Sequence, residues 1–273
     1  MTDTNLRFHG AAPFRVAAIH GGPGAAGEMA PVARRLSRNH GVLEPLQTAR
    51  SIEGQIEELR EVLSKFSQTP AVLIGYSWGA WLGLLAAARY PELIGKLILV
   101  SCPPFAESSA AELQARRLEH LDDAEKAEYL ALAAAFERPA APGPVTPAVL
   151  PPVPFVSLER LGRLANKADA YAPIAEIDEP GDVRLSAEIY RAVWNEAAAM
   201  RRSGELLRQA RMVRCRVVAI HGDSDSSPAA GVAEPLTALP EFRLIELSQC
   251  GHTPWLERYA KEEFYRTLLS EIG

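Results

Sequence analysis

Cysteine is scarce: only Cys102, Cys215 and Cys250 occur in 273 residues, and no two of them form a CxxC pair. An odd, widely spaced set excludes a disulfide framework or a zinc knuckle and points to a reducing cytoplasm. Long apolar runs are also missing, since nothing approaches the roughly 18 residues that a membrane span needs. Met1 to Gly10 lacks the charged-then-apolar layout of a signal peptide, so a cytoplasmic chain without membrane attachment is expected. Positive charge is not in excess: 29 Lys and Arg face 34 Asp and Glu, for a formal charge of −5. A surface of that sign is a poor partner for nucleic acid or anionic lipid. Gly21, Gly22, Gly24 and Gly27 lead to no Gly-Lys-Ser/Thr and do not fit the dinucleotide fingerprint, which removes the phosphate-cradle reading. What remains is 48% hydrophobic and 23% charged residues, enough for one large buried core with or without an inserted lid.

The ends of the chain alternate strand with helix. Val16 to Ile19 is a short apolar run that stops in the breaker cluster His20-Gly21-Gly22-Pro23-Gly24. Ser51 suits a helix N-cap, and Ile52, Ile56, Leu59, Leu63 and Phe66 recur at helical spacing behind it. Ala71 to Ile74 and Lys96 to Val100 read as buried strands, with an Ala- and Leu-rich helix between Ser77 and Tyr90. The pattern resumes at Arg216 to Ile220 and Phe242 to Leu247. A final helix is expected over Pro254 to Ile272, with Trp255, Tyr259, Phe264 and Leu268 on its inner face. Unbroken apolar strands separated by helices predict a mainly parallel sheet covered on both faces, the α/β class.

The middle differs. Residues 103–213 contain no convincing strand and read as four helices, around Ala110–Leu121, Ala124–Glu137, Leu158–Asp169 and Ala187–Met200. Seven prolines between Pro139 and Pro154 predict an extended loop there. The expected organisation is a core of residues 1–102 and 214–273, with 103–213 as a helical lid over the carboxyl edge of the sheet.

Chemistry concentrates at that edge. Gly75-Tyr76-Ser77-Trp78-Gly79 joins a strand to a helix, so Ser77 stands on a sharp turn with the positive helix end behind it. A serine needs a base, and a base needs an orienting acid. Of six histidines, His252 follows the last strand and precedes the last helix, which puts it on the side of Ser77. His20 and His221 close strands before glycine and suit packing or backbone bonding. Asp223 and Asp225 both follow the strand that ends at Ile220, and only one of them is expected to face His252. Acyl chemistry also needs donors for an oxyanion; these are expected from the Trp78 N–H and from the loop at His20 to Gly24.

The set His20-Gly21-Gly22-Pro23-Gly24, Gly75-Tyr76-Ser77-Trp78-Gly79, His221-Gly222-Asp223-Ser224-Asp225 and Gly251-His252-Thr253-Pro254-Trp255 resembles the α/β-hydrolase superfamily. HGGPG followed by Ser-Trp-Gly is most similar to its proline iminopeptidase branch. The resemblance covers about residues 14–102 and 214–273. It implies Ser77 as nucleophile, His252 as base and Asp225 as acid, with the Gly22 and Trp78 amides as oxyanion donors. It also implies lid carboxylates that hold a substrate amine, and Glu196, beside Trp194 and Tyr190, is the one lid stretch of that kind. Two features depart from the branch. Few residues precede the HGGPG strand, so the N-terminal sheet edge should be short by one or two strands. The residue before Ser77 is Tyr76, where the branch favours glycine.

The expected activity is Ser-His-Asp hydrolysis of a small ester, amide or short peptide through an acyl-enzyme, with no metal or organic cofactor. An iminopeptidase-like aminopeptidase leads. A carboxylesterase or carbon–carbon hydrolase with the same triad, and a catalytically silent ligand-binding protein on this fold, stay open.

Overall fold

The computed structural model describes residues 5–137, 155–174 and 183–273. The proline-rich stretch at 139–154 lies outside the described residues. Nine strands are present among them: β1 (Leu6–His9), β2 (Phe14–Ile19), β3 (Ala25–Ala26), β4 (Gly41–Pro45), β5 (Ala71–Tyr76), β6 (Ile94–Val100), β7 (Arg184–Leu185), β8 (Arg216–Gly222) and β9 (Phe242–Leu247). The helices are α1 (Ala30–Leu36), α2 (Ile52–Phe66), α3 (Trp78–Arg89), α4 (Glu107–Glu119), α5 (Asp123–Glu137), α6 (Phe155–Asp169), α7 (Ala187–Arg202), α8 (Glu205–Ala210), α9 (Ala230–Leu236) and α10 (Lys261–Ile272). Seven strands form one sheet in the order β1-β4-β2-β5-β6-β8-β9. All neighbours are parallel except β1 with β4.

Strand side chains alternate between two cores, as a two-residue period requires. Ala17, Ile19, Leu73, Leu97, Leu99, Val217 and Ala219 face α2, α3, α8 and α9. Val16, Ala18, Ile74, Ile98, Val100, Val218 and Ile220 face α1 and α10. Helix α2 begins where the Ser51 hydroxyl accepts the Gly54 N–H at 3.1 Å, the capping expected from the sequence. Helix α3 is buried nearly all round because it lies under both the sheet and the insertion.

Strands β1 and β4 had no apolar signature. Glu44 interrupts β4, yet it is completely buried, since His9 Nε2 donates to it at 2.8 Å and Arg7 lies 3.7 Å away across the antiparallel pair. The charge therefore belongs to an edge that only tertiary pairing completes.

Between β6 and β8 the chain builds an insertion of α4 to α8, whose own core joins Leu121, Tyr129, Phe136, Leu158, Leu161, Leu164 and Ala168. Helices replace the expected ones with shifted ends, and α8 is added. One strand also occurs: β7 pairs antiparallel with β3, Ala25 opposite Leu185 and Ala26 opposite Arg184. Two residues are too short to leave a period in the sequence. The last helix starts at Lys261, after a separate 3₁₀ turn at Pro254–Leu256. Trp255, Phe264 and Leu268 are buried, but Tyr259 lies in the non-helical break and is 57% exposed, contrary to the expected inner face. Among the described residues no helix is long and apolar enough to cross a membrane.

Candidate active site

Ser77 sits between β5 and α3 at φ 49° and ψ −115°, in backbone space that non-glycine residues seldom occupy. The turn is this tight because a Cβ on Gly75 would collide with the Gly79 carbonyl, and one on Gly79 would stand 2.5 Å from the Ile19 oxygen. That second contact places the first turn of α3 against the end of β2, so the His20–Gly24 loop emerges beside Ser77. The Ser77 N–H donates to Val100 O at 2.9 Å, which locks the turn to the next strand.

His252 Nε2 lies 3.2 Å from Ser77 Oγ, and its Nδ1 lies 2.8 Å from Asp225 Oδ2. With the Nδ1 proton donated to the carboxylate, Nε2 is left free to accept from the hydroxyl. Asp225 Oδ1 accepts the Ser227 N–H at 2.9 Å, and His221 Nε2 stands 3.4 Å from Oδ2. Burial alone would push the Asp225 carboxyl up, but the charges of His252 and His221 outweigh it and hold its pKa below the ordinary value. Burial likewise opposes a charge on His252; the Asp225 carboxylate overrides it and holds the imidazole pKa above 6.5. Asp223 faces elsewhere. Its carboxylate accepts the Gln249 N–H at 3.0 Å and the Cys250 N–H at 3.2 Å, which ties the acid loop to the histidine loop.

Trp78 opens α3, so its N–H has no acceptor within the helix. Gly22, at φ +28°, opens the 3₁₀ turn Gly22–Gly24, and that turn packs against both α3 and α7. His20 is fully buried; Nδ1 donates to Gly21 O at 2.7 Å while Nε2 accepts the Gln47 N–H at 3.3 Å. His221 Nε2 donates to Ser227 O at 2.7 Å. Both therefore bond backbone.

Of the insertion residues expected to meet substrate, Glu196 uses Oε2 to accept the Ile52 N–H at 2.9 Å. It caps α2, where an anion suits the positive helix end. Trp194 stacks on Trp81 at 5.8 Å and on Tyr190 at 6.0 Å, and Tyr190 meets Phe136 edge-on. These rings join α7 to α3 and α5.

Three groups around the site carried no recognised signal. The Glu257 carboxylate, 1% exposed, accepts N–H groups from Gly251 (3.2 Å), Tyr171 (2.9 Å) and Ala172 (2.7 Å). Asp169, at the end of α6, accepts the His252 N–H on its carbonyl at 2.9 Å, and Arg117 of α4 grips its carboxylate with Nε and Nη2. Glu28 is half-buried, with Oε2 enclosed beside Gly21 and Tyr76 and within the field of His252. Its one available cue was a single charge in the otherwise uncharged run Ala25–Ala33.

A mainly parallel sheet with a serine on the strand–helix turn and an acid and a histidine on later loops defines the α/β-hydrolase fold. Residues 9–266 match the model of the alpha/beta hydrolase family, and the chain belongs to that family. It is similar to a 2-(acetamidomethylene)succinate hydrolase of Mesorhizobium japonicum, 26% identical over 123 residues, which are 41% of this chain and 44% of that one. The chain thus matches less than half the length of that relative in sequence. Among solved structures it resembles E-2-(acetamidomethylene)succinate hydrolase, with a TM-score of 0.60, 18% identity and coverage of 97% and 93%. It also resembles VinJ, with a TM-score of 0.62, 18% identity and coverage of 98% and 93%.

Proposed function

We propose that the chain is a Ser-His-Asp hydrolase of small esters or amides that works through an acyl-enzyme. The observation that carries this reading is the unbroken series Ser77 Oγ, His252 Nε2, His252 Nδ1, Asp225 Oδ2, at 3.2 and 2.8 Å. His252 takes the Ser77 proton as Oγ attacks the carbonyl carbon. The Gly22 and Trp78 N–H groups receive the oxyanion, and Asp225 stabilises the imidazolium. The imidazolium proton then goes to the leaving group. Water, deprotonated by the same ring, releases the acid and restores Ser77. The insertion acts as a lid that shapes the acyl and leaving-group pockets.

The aminopeptidase form of this reading needs a carboxylate for the substrate ammonium. Glu196 already serves the Ile52 N–H, so no amine anchor is assigned and the ester or amide form is preferred. The similarity to 2-(acetamidomethylene)succinate hydrolase favours one specific alternative, an acylated-amine substrate without a free ammonium. A panel of p-nitrophenyl esters, aminoacyl arylamides, their N-acetyl forms and 2-(acetamidomethylene)succinate separates these cases. Turnover of free-amine arylamides above their N-acetyl forms would overturn the preference.

A further inference from the structure

We propose that Glu28 is a second carboxylate of this site, packed against Gly21 and Tyr76 and acting through its charge on His252. The proposal rests on the Ser-His-Asp reading and adds a residue to it.

The chain makes a tight return after the 3₁₀ turn, where the Glu28 N–H donates to Ala25 O at 3.2 Å. The Glu28 side chain folds back over the loop towards Gly21. Oε2 comes so near Gly21 that a Cβ there would stand 2.7 Å from it, and 2.7 Å from the Tyr76 ring. Only glycine at position 21 leaves room for this contact.

The electrostatic setting is unusual. Oε2 is buried and has no hydrogen-bond partner among the described residues. The titratable groups that face Glu28 are Tyr76, from the end of β5, and His252, from the loop after β9. Tyr76 is itself held in place by Thr253, hydroxyl to hydroxyl at 2.9 Å, and its ring lies 5.3 Å from that of His252. His252 is in turn faced by Asp225, by Asp169 and by Arg117, which is already bonded to Asp169. Burial lifts the Glu28 pKa to about 7, against the pull of the His252 charge and of the nearby Gly21 amide.

A carboxylate here lowers the cost of an imidazolium at His252, and the imidazolium favours the carboxylate equally. No proton passes between the two. When His252 takes the Ser77 proton, the ionised Glu28 adds to the field of Asp225. Below neutrality Glu28 is itself protonated, and that part of the field is lost.

The test is the rate at which a fluorophosphonate labels Ser77 as a function of pH, in wild type, Glu28→Gln and Glu28→Ala. Gln keeps the shape of the side chain without the charge; Ala removes both. The acid limb should move to lower pH in both variants, because the imidazolium loses a stabilising charge. The plateau rate should stay within about threefold of wild type in Glu28→Gln. Coincident profiles in variants with native circular dichroism would overturn the proposal. Should the variants fail to fold, wild type carrying carboxyl-labelled glutamate decides by NMR. A carboxyl that titrates near neutrality and shifts in His252→Gln supports the coupling; glutamates that all titrate in the ordinary range sink it. A wild type that is not labelled at Ser77 would instead remove the Ser-His-Asp reading on which this rests.

Discussion

Asp225 lies between two imidazoles, and its two oxygens are divided between His252 on one side and the Ser227 N–H on the other. An amide at that position would offer His252 a donor or a weaker acceptor and favour the wrong tautomer. Asp225→Asn is therefore expected to reduce turnover on the order of ten-thousand-fold. Asp223→Asn, which alters bonds to the Gln249 and Cys250 N–H groups and to the Ser224 hydroxyl, should cost far less; steady-state kinetics of both variants checks this. The two raised pKa values also set opposite trends with pH. Activity needs neutral His252, whose pKa lies above 6.5, so the rate should rise through a pH above 6.5. Stability runs the other way. A group with a raised folded-state pKa stabilises fully below its unfolded value, and that contribution is lost as pH rises through the folded value. This holds for His252 and for Glu28. His20, whose pKa burial lowers, and Asp225, whose pKa is also lowered, contribute the opposite slope only below about pH 6.5 and 3.8. Between about pH 6.5 and 8 the melting temperature should fall while activity climbs. A midpoint that rises over this range in calorimetry would contradict the assignment.

At the scale of elements, the insertion is bonded to both the glycine loop and the histidine loop of the proposed site. Strand β7 pairs with β3 directly after the glycine turn, and Ser186 N donates to Gly24 O at 2.8 Å. The end of α6 meets the histidine loop through the Asp169 carbonyl, and the chain continues alongside Leu256 and Arg258. Glu257 closes that junction from the core side. Removing its carboxylate leaves three N–H groups without this acceptor, of which that of Gly251 is buried, a loss of roughly 1–3 kcal/mol. Glu257→Ala should lower the melting temperature and also slow Ser77 labelling, because Gly251 adjoins His252. Glu257→Gln, which keeps one acceptor oxygen, should lie between. Wild-type labelling by a destabilised Glu257→Ala would mean that the junction supports the fold alone.

Across the whole molecule, Ser77 and His252 are separated by 175 residues yet meet at one sheet edge. That meeting was legible because it depends on local signals. Apolar runs mark the central strands, and the glycines around Ser77 and Trp78 mark a turn that no larger residue fits. The histidine follows the last strand within one short loop. Residues completed by distant partners were not legible. Glu44 reads as a break in a strand until Arg7 lies opposite it and the His9 ring reaches its carboxylate. Glu196 has the composition of an amine anchor, but its partner is Ile52, 144 positions away. Glu28 and Glu257 look like ordinary surface charges until the loops around them close. The fold was thus readable where the period of the sequence determines it, and the site where a turn demands particular residues. The most direct measurement of the central claim is mass spectrometry of the intact protein after exposure to a fluorophosphonate, in wild type and Ser77→Ala. One adduct per chain, mapped to Ser77 and absent from a Ser77→Ala variant that melts like wild type and turns over no ester, is expected. Labelling of Ser77→Ala, or ester turnover that survives the substitution, would contradict it.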